Sequence, residues 1–222
     1  MEEDEMSPAL FVDLMKQFYK LGWMSGSGGG MACASPSNHV ILYSPSSVQK
    51  ERLKVSDLFI LNSTDGKLVQ RPLNEKVKES ACTPVFNLII NMTDAGCVIH
   101  SHSKFSNLLT QIVSSSTFDI SDQEMIKGVL NRETNSAYSN IDRLVVPIIE
   151  NAPQEYMLIP AMKETLTEFP STCGVLVRNH GFFCWGPTWQ RTKIMTECYE
   201  YLFELACSMI QHNIPLVKSI II

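Results

Sequence analysis

Apolar positions recur at helical spacing near the start of the chain. In "SPALFVDLMKQFYKLGW", Leu10, Leu14, Phe18 and Leu21 fall on one face. Ser7 suits the N-cap, Pro8 the first helical position and Gly22 the end of this helix. A glycine-rich turn, "SGSGGG", follows at residues 25–30. "HVILYSP" and "DLFILN" are short apolar runs bounded by turn formers and read as strands, with "TDGK" as a turn into a partner strand. The dipeptide Thr83-Pro84 opens a second helix through "VFNLIINM", Gly96 breaks it, and "CVIHSH" is the next strand. "SKFSNLLTQIV" and "DQEMIKGVL" predict helices, and "RLVVPII" a strand. "QEYMLIPAMKETLTEF" predicts a helix that Pro160 must kink or split. "GVLVRNHGFFCWG" predicts two strands around a tight turn, and Thr188 caps a long final helix. No repeat, low-complexity segment or linker interrupts the pattern. The prediction is one α/β domain over residues 1–222, with helices packed on a sheet.

Composition narrows the function classes. Of 222 residues, 45% are hydrophobic and 18% charged, which supports a sizeable core rather than disorder. A net charge of -5 argues against broad nucleic-acid binding but leaves room for a local anion site. The opening "MEEDEM" is acidic where a secretory leader is basic, and the apolar "SIII" at the end is too short to span a membrane. The seven cysteines form no C-x-x-C pair. Together these features predict a cytoplasmic protein with reduced thiols, most of them small core residues.

The chemistry starts at "CVIHSH". In a strand, residues i and i+2 share a face, so His100 and His102 point together while Ser101 points away. Two neutral imidazoles so placed can reach one metal ion. A catalytic zinc site takes three protein ligands and keeps one position open, which leaves His39, His180 and His212 to consider. His212 follows the last helix and reads as a surface residue; His39 reads as turn chemistry after "SPSN". His180 stands at the tip of "RNHGFF", where Gly181 offers a positive φ, and is the best third ligand. Three imidazoles suit zinc, with iron, cobalt, nickel and manganese as alternatives.

Two segments can hold an anion. The glycines of "SGSGGG" let backbone N–H groups turn toward a phosphate, and Ser25 and Ser27 add hydroxyls. "SPSSVQKER" adds more hydroxyls beside Lys50 and Arg52. Glu124, taken from periodicity alone, is an exposed helical glutamate pairing with Lys127 at i+3. Cys82 stands at a helix N-terminus, where the dipole can lower a thiol pKa. The glutamates of "TECYEYLFE" read as part of an amphipathic packing helix, not a catalytic site.

Taken in order, "FYKLGWMSGSGGG", "SVQKER", "ACTP", "VIHSHS", "QEMIKG", "LVVPIIEN", "VLVRNHG" and "TECYEYLF" resemble the class II aldolase family, and within it the methylthioribulose-1-phosphate dehydratases of methionine salvage. "QEMIKG" and "VQKER" mark the dehydratase branch. The resemblance implies a three-layer α/β/α domain assembled as a homotetramer. It implies Zn2+ on His100, His102 and His180, one ion per subunit, and Glu124 as acid/base. It implies a sugar-phosphate substrate touched by Cys82, Ser25, Ser27, Gly28, Gly29, Ser46 and Ser47. The implied reaction is loss of water from 5-methylthioribulose 1-phosphate to give 5-methylthio-2,3-dioxopentyl phosphate. Sugar-phosphate aldolases and epimerases of the same family are the competing reading, and the aldolases carry a carboxylate where this chain has Cys82. Some relatives are also linked to cell death through an apoptosome component, which makes an interaction protein a further alternative. Two departures stand out: Ser47 replaces a family glycine, and "NRETNSAYSNIDR" matches poorly.

Overall fold

A computed structural model describes residues 5–218. The acidic opening and the apolar "SIII" end fall largely or wholly outside these residues. Among the described residues no helix is long and apolar enough to cross a membrane.

The main sheet has nine strands: β1 (Gly30–Ser35), β2 (Val40–Tyr43), β3 (Phe59–Asn62), β4 (Leu68–Gln70), β5 (Cys97–Ser101), β6 (Thr117–Ile120), β7 (Leu144–Ile149), β8 (Gly174–Val177) and β9 (Gly181–Gly186). Their spatial order is β4-β3-β2-β1-β5-β9-β8-β7-β6. Every pairing is antiparallel except β7 with β8, so the sheet is mixed. The helices are α1 (Pro8–Lys20), α2 (Thr83–Thr93), α3 (Lys104–Ile112), α4 (Ile159–Glu168) and α5 (Trp189–Gln211).

The helices cover both faces of the sheet. Alternation along β5 sends Cys97 and Ile99 toward a core shared with α1, and Val98 toward one shared with α2 and α4. On the first of these faces α5 packs over Phe118, Val146, Leu176, Phe182 and Cys184. The sandwich is therefore three layers, as the family resemblance implies, with α1, α3 and α5 on one side and α2 and α4 on the other.

Most local predictions match. Ser7, Ser103 and Thr188 each accept a backbone N–H at the start of a helix, from Leu10, Ser106 and Arg191. Pro160 splits its segment, leaving a 3-10 turn at Glu155–Leu158 before α4. "DQEMIKGVL" is a correction: it forms only a 3-10 turn, Glu124–Gly128. The strands β1 and β6 also escape the periodicity reading, because "GMACAS" and "TFDI" are short and weakly patterned. Gly181 is a second correction. The left-handed residue of that turn is Asn179 (φ 55), not Gly181. Gly181 is needed for space: a Cβ there would lie 2.1 Å from the Ser101 carbonyl oxygen.

Candidate metal centre and its cleft

β5 and β9 are register neighbours, with Phe183 opposite His100. That pairing brings the C-terminal end of β5 beside the turn that enters β9, where His180 sits. The three imidazoles converge: His102 Nε2 lies 2.9 Å from His100 Nε2 and 2.9 Å from His180 Nε2. His100 is fully buried and stacks on Phe183 at 3.8 Å between ring centroids and 5° between planes.

The hydrogen bonds on the far sides of two rings fix their tautomers. His100 Nδ1 donates to the Phe182 carbonyl at 3.1 Å, and His180 Nδ1 to Asn151 Oδ1 at 3.0 Å. Both Nε2 atoms are then bare lone pairs aimed at the same point. His102 Nε2 faces the two of them and can donate a proton to only one. Burial, followed by the neighbouring imidazoles, holds the His100 ring well below its ordinary pKa and lowers His102 to about 4. The His100 and His102 rings are therefore neutral at pH 7, the form that binds metal.

Glu155 completes the group, and nothing in the local sequence pattern singles it out. Its Oε1 lies 3.2 Å from His180 Nε2 and 3.9 Å from His100 Nε2. Its Oε2 is buried with no hydrogen-bond partner. The four ligand atoms lie within 4.8 Å of one another. Bare imidazole nitrogens and an orphaned carboxylate oxygen around one point are a cost that a cation at that point removes. The residues fit a divalent metal ion with three imidazole ligands and a carboxylate beside them. The cluster opens into a cleft of ≈550 Å³ lined by Ala81, His102, Asn107, Gln154, Glu155 and His180.

The glycine-rich loop packs directly on this group. A Cβ at Gly28 would lie 2.4 Å from His102 Nδ1, and one at Gly29 (φ 68) would lie 2.8 Å from the His100 carbonyl. Only glycine permits that approach. Lys50 is fully buried and donates to the carbonyls of Ser27 (3.0 Å) and Val48 (3.2 Å), tying the loop to the second serine segment. In that segment the Ser46 and Ser47 hydroxyls are 3.3 Å apart. Ser47 has φ 57, a left-handed backbone that glycine adopts at least cost. Ser25 lies on the other side, lining a cavity with Trp23, Ser103 and Glu200.

Cys82 behaves differently from its sequence reading, whereas Glu124 is exposed and paired as periodicity reads it, away from the site the resemblance implies for it. Cys82 is the N-cap residue of α2, as expected, yet its thiol is pushed up to about 12, first by burial and then by the Glu155 carboxylate. Desolvation outweighs the helix dipole there, which corrects the expectation of a lowered pKa. Glu124 is exposed and ion-paired with Lys127. The strand leading to it, β6, is the sheet edge, four spacings from β5, or about 19 Å at the usual strand separation. It does not join the three clustered histidines of this chain.

A family model described as the Class II Aldolase and Adducin N-terminal domain matches residues 9–207. The chain belongs to the class II aldolase family. A Caenorhabditis elegans protein named probable methylthioribulose-1-phosphate dehydratase is 49% identical, covering 98% of this chain and 82% of the relative. The Homo sapiens methylthioribulose-1-phosphate dehydratase is 42% identical, covering 94% and 85%. Among solved structures, an L-fuculose 1-phosphate aldolase superposes with a TM-score of 0.74 at 15% identity, covering 97% of this chain and 93% of that one. The Thermus thermophilus L-fuculose-1-phosphate aldolase superposes at 0.59 with 19% identity, covering 92% and 93%. These structures share the fold of this class II aldolase chain; the dehydratases share its sequence as well.

Proposed function

We propose that this chain is a zinc-dependent hydro-lyase that removes water from 5-methylthioribulose 1-phosphate, a step of methionine salvage. The carrying observation is the convergence of His100, His102, His180 and Glu155 at the mouth of a polar cleft, in a chain 41–49% identical to named dehydratases of this substrate. When bound, the metal supplies Lewis-acid polarisation of the substrate ketone, which acidifies the neighbouring C–H. In the reaction that C–H bond breaks, the next carbon loses its hydroxyl as water, and a C=C bond forms between the two carbons. The resulting enol tautomerises to the second ketone of 5-methylthio-2,3-dioxopentyl phosphate.

The protein groups divide the remaining work. Ser27, Gly28, Gly29, Ser46 and Ser47 cradle the phosphate, with Lys50 holding the two loops together. Ser25 serves the loop from behind. Cys82, protonated throughout the working pH range, offers a neutral S–H to a substrate hydroxyl. Glu124 is the acid/base, taking the C–H proton and returning it to the leaving hydroxyl. In this reading Glu124 serves the site of a neighbouring copy from its exposed position at the sheet edge, within a homotetramer. The working unit is one class II aldolase-like domain in the cytoplasm.

A specific observation favours a second assignment of the proton-moving role. Glu155 already stands in the cleft with one oxygen unpartnered. Purified protein is tested for turnover of the sugar phosphate, with metal content measured on the same sample. Turnover with about one metal per chain supports the reading. A metal-replete protein that leaves this substrate untouched overturns it.

A further inference from the structure

Glu200 lies on α5, on the opposite side of the sheet from the metal cluster, and is 6% exposed. No catalytic step above uses it. Its carboxylate accepts a hydrogen bond from Ser101 Oγ at 2.5 Å, while the Ser103 hydroxyl donates to Ser106 Oγ at 3.0 Å. Ser101 Oγ in turn accepts the backbone N–H of Ser103 at 3.2 Å. Ser101 and Ser103 are the two residues that flank His102. One buried carboxylate therefore holds one chain neighbour of a metal ligand directly and the other through the Ser101 hydroxyl.

The three histidines are fixed in different ways. His100 and His180 are each oriented by a hydrogen bond from the ring Nδ1. Among the described residues, His102 Nδ1 has no such partner; Gly28 packs against it instead. His102 must then be placed through its backbone. Its N–H donates to the Trp23 carbonyl at 2.6 Å, which sets one point. The turn from β5 into α3, which carries the ring outward, is set by Ser101 and Ser103. Glu200 fixes the Ser101 hydroxyl that ties those two serines together.

From this geometry we infer that Glu200 is a positioning residue for His102, acting through Ser101 and Ser103 from the far side of the sheet. It does for His102 what the Phe182 carbonyl and Asn151 do for the other two rings. The inference rests on the metal reading above.

The test measures zinc affinity of folded, metal-free protein by competition with a chelator, and the visible spectrum of the cobalt-loaded form. Ser101→Ala and Glu200→Ala are each expected to weaken metal binding by ~10–100-fold, the usual effect of losing a group that orients a ligand. The double variant is expected to be no weaker than Glu200→Ala alone, because both remove one linkage. Glu200→Gln keeps a carbonyl oxygen for Ser101, and is expected to bind metal within a few-fold of the parent. If Glu200→Ala does not fold, Ser101→Ala decides alone, since it deletes only a hydroxyl. Parent-like affinity and an unchanged cobalt spectrum in folded Ser101→Ala overturn the inference. His180→Ala is the control for the metal reading itself. If it loses metal while the two positioning variants keep it, only the positioning role fails; if it too keeps metal, the three-histidine site fails.

Discussion

The two faces of β5 carry the same kinds of polar group in opposite states. On the α2/α4 side, bare Nε2 atoms of His100 and His180 face His102, and Glu155 Oε2 has no partner. On the α5 side, Ser101, Ser103, Ser106 and Glu200 are all hydrogen-bonded to one another or to backbone. A fold keeps an unpaired polar cluster only where something else is meant to pair it, whereas a satisfied cluster adds rigidity. Function is thus read from the unpaired side and support from the paired side, one residue apart along one strand.

The largest expected effect breaks the unpaired side. His180→Ala removes one of three imidazoles and leaves Glu155 facing two. Bound metal in the purified variant is expected to fall sharply and turnover to be lost, while the far-ultraviolet spectrum is unchanged. Full metal occupancy in this variant would falsify the three-histidine site.

Next in size is the choice between the two carboxylates. Glu124→Gln removes a base while keeping size and most hydrogen bonding, so it is expected to lower kcat by ~10²–10⁴-fold with metal content intact. Glu155→Gln provides the contrast. If Glu124→Gln turns over at the parent rate and Glu155→Gln shows the large loss, the proton is moved inside the protomer's own cleft. If Glu124→Gln shows the large loss instead, a mixture of His180→Ala and Glu124→Gln chains sharpens the result. Activity recovered on mixing shows a site completed by a neighbouring copy, as the homotetramer reading requires.

Much of this is legible in the sequence alone. The shared face of His100 and His102 follows from strand alternation, and α1 and α5 follow from periodicity and their capping residues. Glu155 and Asn151 were not legible. They sit in an irregular connection, and only tertiary packing brings them to the histidines. Glu200 carried a signal that the amphipathic reading passed over: on α5 it falls among Thr196, Tyr199 and Phe203, at the i, i+3, i+4, i+7 spacing of the buried stripe. A charged residue inside an apolar stripe marks a buried carboxyl that needs a partner. The Cys82 thiol failed for a different reason: the dipole argument is local, while burial is a property of the whole fold.

The satisfied side makes its own prediction about pH. Burial raises the Glu200 pKa from 4.5 to about 7, with Glu204 adding to the shift and Ser101 and Ser103 opposing it. The folded state therefore holds a proton that the unfolded chain releases. This contribution to stability is fully present below about 4.5 and is lost as pH rises through about 7. The buried histidines of the metal-free protein act in the opposite sense, since lowered pKa values cost stability as pH falls below 6.5. Glu200→Gln cannot ionise. Relative to the parent, its urea midpoint is expected to rise between pH 5 and pH 8, by an amount on the order of a few kcal/mol at most. A constant difference across that range would mean that Glu200 is ionised in the folded protein throughout.

The smallest effect concerns the cleft rim. Ser47 holds a left-handed backbone (φ 57) in the segment that Lys50 ties to the glycine-rich loop. A non-glycine residue there costs roughly 1–2 kcal/mol, part of which glycine gives back as extra freedom in the unfolded chain, roughly 0.5–1 kcal/mol. Ser47→Gly is therefore expected to stabilise the protein by about 1 kcal/mol or less, read from the urea midpoint. Its effect on substrate is the more informative half. If the Ser47 hydroxyl bonds the phosphate, KM rises in the variant, because a hydrogen bond to a charged group is worth about 1.5–3 kcal/mol. If KM falls instead, the side chain crowds the phosphate, and the strain at this position is a cost the loop carries without benefit to binding.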